Sequence, residues 1–338
     1  MFLYRPKLQL IILLLGALIM LPACGLLNDP GFIAYTVGEE GSRNIGVVRV
    51  DGSQSRIVVA NAADDFSPVW SPDHKRLVFL TTRNGNVELY VAPSDGSTVM
   101  RVTDTAVSES QPTWSPDSRQ LAYVSPDEDG NPHIFVLELS ELIPQRLTLG
   151  TPAEKDPSWS PDGKWIAYTA LDEQGIPLGI FLRNPSGVNR MQLTEGFDYS
   201  PVWSSDSKHL AFVSERDGNE EIYVIKLGTG DAFNPPARVT DNTGRDFAPS
   251  WEPGGDRIAF LSDSQGNISI YRAAPNGDDL EALTTNEVDE WAFAWGPTGK
   301  IAFVSALVGN PSLFVMESDG SKQQQVIFSD RTFTLLDW

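Results

Sequence analysis

Seven tryptophans recur along the chain at nearly constant spacing: Trp70, Trp114, Trp159, Trp203, Trp251, Trp295 and Trp338. The steps between them are 44, 45, 44, 48, 44 and 43 residues. A repeat of about 40–45 residues is the length of one four-stranded propeller blade. A length of 338 residues would by itself suggest two domains, and the repeat replaces that expectation with one ring. The 48-residue step reads as an insertion within Gly228–Pro236, in the loop between the last two strands of its unit.

Around each Trp the same short segments return. Phe66-Ser67-Pro68-Val69-Trp70-Ser71-Pro72-Asp73 is followed by Leu77-Val78-Phe79, Val87–Val91 and Met100–Thr103. A later copy runs Trp159-Ser160-Pro161-Asp162-Gly163 and Ile166-Ala167-Tyr168. β-rich runs separated by Gly, Pro, Asp and Asn are strand and hairpin signals. Four strands per unit follow: A ends at the Trp, B carries Ile-Ala-Phe/Tyr, C carries Ile-Tyr-Val and D carries Leu-Thr or Val-Thr. Pro stands two residues before the Trp in five units (Pro68, Pro112, Pro157, Pro201, Pro249). Proline cannot donate to a ladder, so strand A is expected to lie at a sheet edge, lining the central channel. The Trp ladder reads as packing between blades, not as chemistry.

The first unit has strands B, C and D (Ile33–Thr36, Ile45–Val50, Arg56–Ala60) without a strand A. Thr332–Trp338 is a strand A without a blade. The expected fold is therefore all-β, a seven-bladed β-propeller of four-stranded blades over residues 31–338. It closes by pairing the C-terminal strand A with the N-terminal strands B–D, which removes exposed sheet edges. Trp-Ser-Pro-Asp-Gly with Ile-Ala-Tyr, and Ser214–Asn219 followed by Glu221-Ile222-Tyr223-Val224, resemble the WD40-like Pro-Asp repeats of TolB-type propellers. The likeness covers residues 31–338, with no stretch matching the α/β domain that precedes the propeller in TolB. It implies the fold; a fold of this kind hosts many activities.

The N-terminus has a different character. Arg5 and Lys7 precede an apolar run from Leu8 to Leu21, ending in Leu21-Pro22-Ala23-Cys24. A basic start, a short apolar core and a small residue before the cut describe an export signal. Leu-x-Ala-Cys resembles the bacterial lipobox, which implies lipid attachment at Cys24. Residues 1–23 are then a signal peptide, residues 24–30 a short tether, and the propeller lies outside the cytoplasm on a bacterial membrane. Cys24 is the only cysteine, so disulfides and cysteine metal sites are excluded.

Lys and Arg number 25 against 45 Asp and Glu, a net charge of −20. So acidic a chain excludes nucleic acid, whose recognition needs a basic footprint. Five residues before the Trp stands an acid in six of the seven units: Asp65, Glu109, Glu154, Asp198, Asp246 and Glu290. These lie where the D–A and B–C loops share one face, near the channel mouth. Glu39, Glu40, Asp127, Glu128, Asp129, Asp172, Glu173, Glu215, Asp217 and Asp263 fall in loops of the same face. Two readings stand open: acids that cap turns and keep the surface soluble, or a binding mouth for a basic peptide or a divalent cation such as calcium. Asp127-Glu128-Asp129-Gly130-Asn131 reads as a turn, and no other cofactor is expected. On the opposite face Lys75, Arg119, Lys164, Lys208 and Lys300 stand five residues after the Trp, beside Asp73, Asp117 and Asp162. That nearer-neutral face is expected to lie towards the membrane, with Trp165 beside it.

Enzyme signatures are missing: the sequence has no G-x-S-x-G, no phosphate loop and no H-E-x-x-H. His74, His133 and His209 occupy unrelated repeat positions and read as solvated or half-buried. The expected function is a non-catalytic, monomeric envelope lipoprotein binding a protein partner, through a basic segment or cation, at the acidic mouth. The alternative is a propeller that binds or cleaves extracellular carbohydrate.

Overall fold

A computed structural model describes residues 31–148, 153–228, 235–307, 309–327 and 333–338. The export signal, Cys24, the tether and most of the insertion after Gly228 lie outside them. Among the described residues, 28 strands form seven four-stranded antiparallel sheets, with no helix. Blade one consists of 333–337, 32–37, 44–49 and 56–59; blade two begins with strand A at 65–70, and blades three to seven begin at 110, 153, 198, 246 and 290. In blade one the last strand of the chain pairs antiparallel with the first, Asp337 opposite Ala34 and Leu336 opposite Tyr35.

The core is seven separate clusters, one between each pair of neighbouring blades, and each contains one ladder Trp. Trp114, for example, packs among Val78, Leu80, Leu89 and Val91 of blade two and Leu121 and Tyr123 of its own blade. The seven Trp side chains are 5–8% exposed. Burying about 150–250 Å² apiece at about 25 cal/mol/Å² contributes at most about 4–6 kcal/mol each. Three indoles also clip blade to blade: the Nε1–H groups of Trp114, Trp203 and Trp251 donate to the carbonyls of Val69, Ser158 and Val202, at 3.0–3.1 Å. Trp165 is half-buried against the cluster of Trp203.

The prolines of strand A mark β-bulges. In blade two Phe66 pairs with Leu80 and Val69 with Val78, so Ser67 and Pro68 together oppose Phe79. The residue before each of the five prolines has a left-handed φ: Ser67 52°, Gln111 52°, Asp156 56°, Ser200 53° and Ala248 52°. Proline is at home in a bulge because the ladder there lacks a bond to lose. The bulge has a second effect. Side chains five apart on a regular strand point to opposite faces, and one inserted residue turns them to the same face. The acid five places before six of the seven Trp residues therefore points, as the Trp does, at the seam with the preceding blade.

At the other end of strand A the Ser-Pro-Asp turn ties itself. Ser71 Oγ–H donates to Asp73 Oδ1 (2.6 Å), Lys75 N–H donates to the same oxygen (3.2 Å), and Arg76 N–H donates to Ser71 Oγ (3.0 Å). The same bonds recur at Ser115, Ser160 and Ser204. The fourth residue after Trp is left-handed in all six of these A–B turns, and in three it is Gly163, Gly255 or Gly299.

Candidate functional site

The six acids of the expected mouth stand at the starts of their A strands, but their side chains are only 0–3% exposed. They are buried ties, not an open rim: Glu109, Glu154 and Glu290 reach groups of the preceding blade, whereas Asp65 and Asp198 pair with arginines of their own blades. Glu109 accepts from Thr105 Oγ1 (2.6 Å) and Thr103 Oγ1 (3.1 Å) of blade two. Glu154 accepts from Thr148 Oγ1 (2.7 Å). Glu290 accepts from Thr284 (3.0 Å), Asn286 (2.7 Å) and Ser305 (3.3 Å). Asp65 pairs with Arg83 (2.8 Å) and Asp198 with Arg216 (2.5 Å). Asp246 accepts from Asn242 (2.6 Å), while its Oδ1 is buried without a partner among the described residues.

Two of these seams hold a second buried acid at the start of strand C, Glu88 in blade two and Glu221 in blade five, both 0% exposed. Burial works against ionisation of Glu88, yet hydrogen bonds from Thr103, the Thr105 amide, Arg101 and Asn86 hold its carboxyl below the usual range. Glu109 beside it is pushed up to about 7, by burial first and then by the charge of Glu88. Asp246 is likewise pushed up to about 6 by burial, with Glu221 adding repulsion. In the seam of blades three and four the matching residue is His133. It is 1% exposed and bridges Glu154 (2.7 Å) and Asp127 (2.9 Å), so it is a buried tie, neither solvated nor half-buried as its sequence position suggested. His74 and His209 are half-buried, with rings 6.2 and 6.1 Å from Trp70 and Trp251. Asp127 closes the expected turn, accepting from the Asp129 and Asn131 amides.

What remains exposed on this face is of another kind. Ile176 (43%) at the end of the B–C loop of blade four, Leu178 (39%) at the start of its strand C and Phe197 (49%) in the D–A loop that follows stand out from the surface. Gly196 N–H donates to the Leu178 carbonyl at 3.2 Å, which sets the two segments side by side. Glu173, Glu195 and Glu215 are exposed around them. The next residue after the acid in strand A adds half-buried aromatics: Phe66, Tyr199 and Phe247, and Trp291 at 44% exposure. Arg43, Lys155 and Arg245 lie over the first three rings at 4.6, 5.4 and 5.7 Å. Tyr199 Oη–H donates to Glu220 (2.5 Å) and Glu215 (3.1 Å). Sequence reasoning centred on the acids passed over these apolar side chains; the aromatic character four places before the Trp was the available signal. On the opposite face Lys164 and Lys75 pair with the turn acids Asp162 (2.8 Å) and Asp73 (3.6 Å). Among the described residues no group of three or more His, Cys, Asp or Glu side chains is placed to share a metal ion.

Geometry of this kind defines a seven-bladed propeller with one acidic, partly apolar face. The family described as TolB beta propeller domain matches residues 12–199 and 156–301, and the chain belongs to it. A Protein TolB homolog of Chlorobium luteolum is 36% identical over 72 residues, which span 20% of this chain and only 16% of that protein. TolB from Acinetobacter baumannii has a similar structure, with a TM-score of 0.61 at 18% identity over 91% of this chain and 66% of that one. The β-propeller domain of the Trilobed protease from Pyrococcus furiosus has a TM-score of 0.69 at 12% identity, covering 89% and 93% of the two chains. Likeness at such low identity is a likeness of fold.

Proposed function

We propose that the chain is an exported, lipid-anchored propeller that docks a protein partner on the face of its D–A and B–C loops, without catalysing a reaction. Residues 1–23 serve as the export signal and Cys24 as the lipid site, followed by the short tether. The partner is an envelope protein presenting a segment that carries apolar side chains flanked by Lys or Arg. The observation that carries this reading is the exposed apolar group of Ile176, Leu178 and Phe197 among Glu173, Glu195 and Glu215. Exposed apolar patches rimmed by polar groups mark interaction sites. Carboxylates around such a patch select a basic segment and speed its approach. The buried acids contribute by holding the loops in place rather than by touching the partner.

Affinity capture from envelope extract tests the reading. Wild-type protein is expected to retain a basic protein that raised salt releases, and Phe197→Asp with Glu173→Lys and Glu195→Lys is expected to lose it. Equal capture by wild type and variant would reject the site.

A further inference from the structure

Blades two, five and six share a repeat, yet they treat the space between strand C and the D–A loop differently. In blade two Glu88 pairs with Arg101 at 2.9 Å, and Asn86 Nδ2 donates to Glu88 and to the carbonyls of Thr105 and Val107. Blade five repeats this with Glu221, Arg238 and Asn219. A second arginine covers the strand C tyrosine in each: Arg83 stands 4.5 Å over Tyr90 and Arg216 4.6 Å over Tyr223. Blade six has Ser269 in place of the glutamate, Ala282 in place of its partner arginine and Ser264 in place of the second arginine. All three charged groups are replaced at once by small ones. The result is a cavity of about 290 Å³ lined by Gln265, Asn267, Ser269, Tyr271, Thr284, Thr285 and Asn286.

We propose that this cavity binds a small neutral polyhydroxylated ligand, a single sugar unit. Its lining is amides and hydroxyls, none of them charged. Five of these groups (Gln265, Asn267, Ser269, Tyr271 and Thr285) have no side-chain hydrogen bond within the described residues. Asn267 differs in this from Asn86 and Asn219, which are each tied three times. Ser269 is 5% exposed and lies on the cavity wall, its hydroxyl without a hydrogen-bond partner among the described residues. In the free protein these groups are open to water, and a ligand able both to donate and to accept would replace that water with direct hydrogen bonds. The Tyr271 ring is stacked on Phe260 at 6.0 Å and presents a fixed apolar surface to a sugar's C–H face. Charge excludes other classes. An anion would meet the buried Glu290 and an acidic face. A cation would find both Glu290 oxygens already accepting, from Asn286 and Ser305 at one and Thr284 at the other.

Saturation-transfer NMR on the full chain, with glucose, galactose, mannose and N-acetylglucosamine as probes and glucuronate as the anionic control, tests the proposal. At least one neutral sugar is expected to bind, and glucuronate to bind more weakly. The double variant Ser269→Glu/Ala282→Arg rebuilds the pair that blades two and five already accommodate. It is expected to melt as wild type does and to weaken binding about tenfold or more. Asn267→Ala, which keeps the cavity open, is expected to weaken binding severalfold and serves if the double variant misfolds. The absence of transfer to every neutral sugar, equal binding of glucuronate, or affinity unchanged in the variants would each overturn the assignment.

Discussion

In blade two Glu88, Arg101, Asn86 and Thr105 close on one another at the seam with blade three, whereas in blade six the matching Ser269, Ala282, Asn267 and Asn286 leave an open polar cavity. The strands, the bulge and the ladder Trp are the same in both. Where a side chain obeys the repeat it faces a neighbouring blade and holds the ring. Where a charged tie is missing, as at Ser269, or a side chain stands outside the seam, as at the exposed Phe197, the position is free to meet a ligand. The comparison divides the molecule into positions whose loss should cost stability and positions whose loss should cost binding.

The largest effect is expected from removing residues 333–338, which takes one strand from blade one and Trp338 from its seam. Cooperative thermal unfolding should be lost, and a truncated protein melting as wild type does would break the closure. Trp159→Ala should come next, costing about 3–5 kcal/mol in denaturant unfolding because its cluster cannot collapse onto the gap. Glu221→Ala should cost about 2–3 kcal/mol, since Arg238, Thr240, Asn219 and Asn242 all donate to that carboxylate. Ser269→Ala, at the matching place in blade six, should cost less than about 0.5 kcal/mol. Equal losses at the two sites would dissolve the distinction between them.

A smaller effect is expected from pH. Glu109 and Asp246 keep their protons up to about 7 and about 6 in the folded chain, while unfolded carboxyls release theirs near 4. Between those values the folded state holds more protons than the unfolded one. These groups stabilise fully at low pH and lose that contribution as pH rises through 6 and 7. The melting temperature should therefore fall from pH 5 to pH 8, and Glu109→Gln with Asp246→Asn should flatten the fall. Asp64, held at about 2 foremost by its hydrogen bond from Arg43, acts in the opposite sense but below this window. The smallest stability change, within about 0.5 kcal/mol, is expected for Phe197→Asp on the exposed face.

The ring was legible because its signals repeat. Tryptophans at a constant step count the blades, and the unmatched segments at 31–60 and 332–338 complete one another. Burial of the six acids was not legible. Counting five residues back from a Trp locates the loop, but only the bulge at Ser67-Pro68 and its counterparts decides which way the side chain turns. The prolines carried that information and were open to the simpler reading of an edge strand. Glu88, Glu221 and their arginines recur in only two blades, so no periodic signal picks them out. The cavity in blade six is an absence of charge, visible only once blades two and five show a charged pair in the same place.

The docking face is tested most directly by hydrogen exchange of the chain alone and in complex with the partner captured from envelope extract. Protection on binding is expected in 173–178 and 195–199, with the turns at 73–75, 117–119 and 162–164 unchanged. Protection confined to those turns would place the partner on the opposite face and contradict the account.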